Sequence, residues 1–127
     1  MAQTEQALFV SGEYQTMPIT SAQAGGALTA GDVIVIGDLP CVVHTAYSTD
    51  DYNDSRQHSV AVQGGEYSCL KGSGSGAITA GAVGYWDDTN NVITTTASSH
   101  KKFGWCSVAA ADADAVVRMV HDPAANA

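Results

Sequence analysis

The segment Ala27-Leu28-Thr29-Ala30-Gly31-Asp32-Val33-Ile34 returns as Ala77-Ile78-Thr79-Ala80-Gly81-Ala82-Val83-Gly84, with five positions identical and Leu28 exchanged for Ile78. No other feature restricts the fold so strongly, because a repeat at this spacing means one supersecondary unit used twice inside a small domain. In each copy a Thr-Ala-Gly corner precedes an extended run. Glycine supplies a backbone conformation closed to residues with a side chain, and the Val-Ile-Val after the first corner suits a pleated strand. Residues 27–70 and 77–121 are therefore read as two similar halves of one β domain spanning 27–121.

Outside the corners the pattern is again strand and turn. Residues 33–36 form an apolar run stopped by Gly37-Asp38-Leu39-Pro40, a turn by composition, and residues 41–47 make a second strand. Residues 59–63 alternate as a half-buried strand does, Gly64-Gly65 interrupts them, and 66–70 continue. Lys71-Gly72-Ser73-Gly74-Ser75-Gly76 connects to the second corner. Residues 83–86 and 92–96 flank Asp87-Asp88-Thr89-Asn90-Asn91, a hairpin turn, and 103–108 and 116–121 add two strands. The Ala/Asp-rich stretch 109–115 has alanines for one turn of helix, weakened by its aspartates. No segment carries three turns of helical periodicity, so the fold class is mainly β, a compact small domain with an internal repeat. Residues 1–26 read either as an extended N-terminal arm or as an edge strand. Residues 48–58 read as a long exposed acidic loop, and 122–127 as a C-terminal tail.

A chain of 127 residues can bury roughly two thirds of its unfolded surface. Hydrophobic residues make up 45% of it but aromatic ones only 7%, so the core is thin in large side chains and further burial by self-association is expected. Thirteen acidic residues against five basic ones leave a formal charge of −8. That sign repels phosphate backbones and anionic lipid, and no basic stripe offsets it, which argues against nucleic-acid and membrane partners. The amino terminus lacks the cationic start and apolar stretch of a secretion signal, and no apolar run approaches membrane-spanning length. Cys41, Cys69 and Cys106 have no paired spacing and read as buried structural thiols of a protein made in a reducing cytoplasm.

No catalytic signature emerges. The glycine-rich run 71–76 places Lys71 first and is followed by a strand pattern, the reverse of a phosphate-binding loop. Asp50, Asp51 and Asp54 lack the alternating oxygen ligands and closing Glu of a calcium loop. His44, His58, His100 and His121 fall in separate segments without metal-ligand spacing, and no Gly-x-Ser-x-Gly elbow occurs. No metal, no cofactor and no enzymatic activity are expected. Trp86 and Trp105 lie in strands beside apolar neighbours and are candidates for the core or for a subunit interface.

The run 27–39, Gly-Ala-Ile-Thr-Ala-Gly at 76–81, Tyr85-Trp86-Asp87, the strand 92–96 and the ending Phe103-Gly104-Trp105 through Val116-Val117-Arg118-Met119-Val120 together resemble the DUF2190 family of small phage and prophage proteins, thought to be capsid decoration or cement proteins. The likeness runs from about Phe9 to Val120. It implies a compact β-clip or β-tulip-like domain similar to the lambda-type head decoration protein. It further implies homotrimers at three-fold or quasi-three-fold positions on the outer surface of the virion capsid, bound to the major capsid protein after head expansion, with synthesis in the bacterial host cytoplasm. The sequence departs from that pattern in the longer loop 48–58 and at Cys41 and His44. Within this frame Leu8, Phe9, Tyr14, Met17 and Ile19 are the candidate capsid-contact residues, and Trp86 and Trp105 the core or trimer-interface candidates. The alternative is a virion-displayed carbohydrate- or host-surface-binding module, motivated by Tyr85, Trp86 and the loop 48–58.

Overall fold

The computed structural model describes residues 3–19, 28–45 and 58–123. The loop expected at 48–58, apart from His58, lies outside the described residues, as do 21–26 and the tail beyond Pro123. Eight strands make one antiparallel sheet: β1 (Ala7–Ile19), β2 (Val33–Ile36), β3 (Leu39–Thr45), β4 (His58–Leu70), β5 (Val83–Asp87), β6 (Val92–Thr94), β7 (Lys101–Val108) and β8 (Val116–His121). The fold is mainly β, and no α-helix occurs among the described residues. Strand order is β2-β3-β4-β8-β7-β5-β6, with β1 paired to β4 off that path.

β4 organises the molecule. β1 runs along one of its edges from Ile19↔His58 to Ala7↔Cys69. β3 and β8 therefore share its other edge, β3 at Ser59–Ala61 and β8 at Glu66–Leu70. Two strands on one edge force the sheet to fork and curl into a half-barrel. Gly64 and Gly65 sit at the fork with φ of 88° and 84°, and a Cβ on Gly64 would run into the Glu13 carbonyl on β1. The glycine pair that looks like an interruption in the sequence bends β4 without ending it.

Both copies of the repeat build the same corner. Asp32 N donates to Thr29 O at 3.0 Å, and Ala82 N to Thr79 O at 3.1 Å. Gly31 and Gly81 hold φ of 93° and 86°, the positive value that the third residue of a type II turn requires. Each glycine N–H then reaches a strand that pairs with the one its corner leads into: Gly31 N to Val43 O on β3 at 2.8 Å, Gly81 N to Cys106 O on β7 at 2.7 Å. The return bonds also match, Val43 N to Asp32 O and Cys106 N to Ala82 O, both 2.8 Å.

The connections follow local chemistry, with two departures from the sequence reading. The β2–β3 turn is only Gly37-Asp38, with Leu39 and Pro40 already paired in β3, because Gly37 at φ 63° permits a two-residue hairpin loop. The stretch 109–115 forms no helix. Asp114 Oδ2 accepts from Ala111 N at 2.8 Å and so offers the backbone a turn instead. Lys71, only 3% exposed, ties that turn to the 71–76 loop by donating to the carbonyls of Gly72, Asp112 and Asp114. The β5–β6 hairpin closes as expected, Asp87 Oδ1 accepting from the N–H groups of Thr89 and Asn90.

Two apolar clusters hold the sheet. The larger joins both halves through Val42, Ala61, Tyr67, Trp86, Phe103 and Met119, among others. The smaller, Ile19, Cys41, Val43 and Val60, covers the opposite face of the first half, with Met17, Leu28, Ile34 and Leu39 packed on it.

Candidate functional site

The sequence groups Leu8, Phe9, Tyr14, Met17 and Ile19 along one strand, and the structure separates them. The β1–β4 register shifts between Phe9 and Ser11 and again between Ser11 and Tyr14, around Gly12 at φ 94°. A bulge suspends the strict alternation of a strand, so neighbouring residues need not point to opposite faces. Leu8, Phe9, Val10 and Tyr14 are all exposed, at 39–44% of their surface. Beyond the bulge Met17 is half-buried and Ile19 is buried in the smaller cluster. Val10, the last residue of the apolar patch Ala7-Leu8-Phe9-Val10, is not among the five candidates, and it is the residue at the register shift between Phe9 and Ser11.

Phe9 and Tyr14 cap an aromatic assembly. Their rings meet edge to face with centroids 5.1 Å apart, and Tyr14 stacks on His44 at 4.2 Å. His44 Nε2 and the Tyr67 hydroxyl share a 2.6 Å hydrogen bond. Burial lowers the His44 pKa and raises that of Tyr67, so both stay neutral at neutral pH. From Tyr67 the rings continue inward to His121 and Phe103, and from Phe103 to Trp86. The exposed patch is thus rooted in the core, which keeps Phe9 and Tyr14 in fixed positions. A shallow groove of about 180 Å³ runs beside it, lined by Glu5, Ala7, Phe9, Gly31, Val43 and Tyr67 among others.

The two tryptophans part company. Trp86 is 1% exposed, its Nε1 donating to Asp88 Oδ1 at 3.3 Å, and its enclosed ring offers no face for a sugar to stack on. Trp105 is 40% exposed on β7. Burial raises the thiols of Cys41, Cys69 and Cys106, Cys41 to about 11, which keeps them protonated and poor nucleophiles. No group of three or more side chains suited to a metal occurs among the described residues.

What the arrangement offers chemically is adhesion: rigid, exposed aromatic and aliphatic side chains on a strand beside a buried aromatic core. Such a molecule is a single-sheet β domain with an exposed apolar strand. The sequence from residue 12 to residue 121 matches the family model described as phage cement protein, and the chain belongs to that family. Membership associates it with the phage capsid in a structural role. Comparison with curated proteins and with solved structures gives no match.

Proposed function

We propose that this protein decorates the exterior of an expanded phage head as a homotrimer at three-fold or quasi-three-fold sites, binding the major capsid protein and resisting outward pressure on the shell. The observation that carries the reading, beside family membership, is the exposed stripe Leu8, Phe9, Val10 and Tyr14 on a strand whose second edge, past the Ala7 N–H that donates to Gly31 O, pairs with no other strand among the described residues. An unpaired edge offers main-chain hydrogen bonds to a partner strand, and the stripe supplies side-chain anchors beside it. Ile19 and Met17 act from beneath, fixing the C-terminal end of β1 to the smaller cluster. Three copies joined in one trimer let three modest contacts act together, so each needs little affinity of its own.

The test is co-sedimentation with expanded heads. The double substitution Phe9→Ser and Tyr14→Ser removes the exposed rings, and head binding is expected to weaken at least about 30-fold, the loss of one interface hot spot. Undiminished binding by the folded double variant would refute the assignment of β1 as the capsid-contact strand.

A further inference from the structure

The matched corners put the two halves in strict correspondence. In the first half Val33 pairs with Val42 and Val42 with Ala61; in the second, Val83 pairs with Trp105 and Trp105 with Val120. The two rows have opposite fates. Val33, Val42 and Ala61 are at most 4% exposed and belong to the larger cluster, whereas Val83 and Trp105 are each 40% exposed. The other face behaves inversely: Val43 and Val60 lie in the smaller cluster, and their counterparts Cys106 and Met119 in the larger. The first half buries both of its faces, while the second half buries one and leaves the other bare.

On that face Val83, Trp105, Val120 and Val108 stand among polar side chains. From Val83, Trp105 and Val120 the row continues across β4 to Glu66 and β1 to Ser11. The next row holds Val108, Arg118, Ser68 and Leu8, with Val108 at 55% and Leu8 at 44% exposure. Its centre is already satisfied internally. Glu66 accepts from Ser107 at 2.6 Å and from Arg118 at 3.4 Å, so no unpaired charge stands in the way of desolvation.

We infer that this face, the outer side of β5-β7-β8-β4, is where a second copy of the chain docks, with Trp105 as its anchor. Charge selects a second copy. Each chain carries −8, so two copies repel through most surfaces. On β4, β5, β7 and β8 Glu66 and Asp87 stand against Lys101, Lys102 and Arg118, so these strands carry none of the net negative charge and copies can join there without that penalty. The proposal deepens the homotrimer of the reading above by naming the surface through which copies join.

Sedimentation velocity of the purified chain tests it. The wild type is expected to self-associate, and Trp105→Glu to do so at least about 30-fold more weakly while keeping the wild-type circular dichroism and melting profile. Val108→Glu, at the most exposed apolar position on the face, is expected to weaken association too and serves as the readout if Trp105→Glu fails to fold. A wild type that stays monomeric at high concentration, or folded variants that assemble as the wild type does, would overturn the proposal. A monomeric wild type would also remove the homotrimer from the reading above, whereas folded variants that assemble as the wild type does would overturn the assignment of this face alone.

Discussion

Acid should weaken this protein chiefly through His121. Its ring is fully buried, with Nε2 at 2.7 Å from the Pro40 carbonyl and Nδ1 without a hydrogen-bond partner among the described residues. The geometry fixes the tautomer: Nε2–H donates to Pro40, and Nδ1 is the bare nitrogen that would take the second proton. Protonation would place a charged N–H against Phe103 and Tyr67, rings 4.7 and 5.9 Å away. Burial, opposed only in part by the Pro40 carbonyl and Asp122, lowers the pKa from 6.5 to about 4. A histidine with a depressed folded-state pKa contributes stability fully above 6.5 and loses it as pH falls toward 4. Between pH 7 and pH 5 the loss is about 2 kcal/mol, or on the order of 1 M in the urea midpoint. His121→Phe keeps the ring and removes the titration. Its urea midpoint is expected to start lower, since the Pro40 carbonyl loses its donor, but to change much less over the same pH range. Some slope remains, because burial lowers the His44 pKa as well. Equal pH dependence in wild type and variant, or a His121 resonance titrating near 6.5 in the folded protein, would refute the reasoning.

Two further expectations follow from packing. Gly104 lies where β7 crosses close to β8, and a Cβ there would overlap the Val120 carbonyl oxygen, so Gly104→Ala is expected to cost about 3 kcal/mol or more in thermal or denaturant unfolding; a change under about 1 kcal/mol would mean the strands can part freely. Cys41, Cys69 and Cys106 are all fully buried with raised pKa values, so a thiol reagent at pH 8 should leave the folded protein unlabelled and modify all three on denaturation; stoichiometric labelling of the native state would contradict their placement.

Some of this was legible in the chain because its cause is local. The Thr-Ala-Gly corners are type II turns, since positive φ at Gly31 and Gly81 is a property of glycine itself. The Asp87 turn is the side chain of one residue folding back on its neighbours. The mainly β class and the buried thiols rest on composition and alternation over a few residues, whereas the two 13-residue strands β1 and β4 do not. The tryptophans show where such reasoning stops. Trp86 and Trp105 both sit in strands with apolar neighbours, and nothing within a few residues says which is enclosed.

By itself, then, the sequence determined the class of fold, the paired corners, the turn chemistry and the family resemblance. Only tertiary structure decided that β4 runs unbroken through Gly64-Gly65, that β3 and β8 share its edge, and that the two similar halves turn opposite faces to the core. It also decided that Leu8, Phe9 and Tyr14 stay outside while Ile19 goes in. The physical reason is the same in each case. A strand's alternation fixes which residues share a face, but which face is buried depends on what lies across the sheet, and those partners are tens of residues away along the chain.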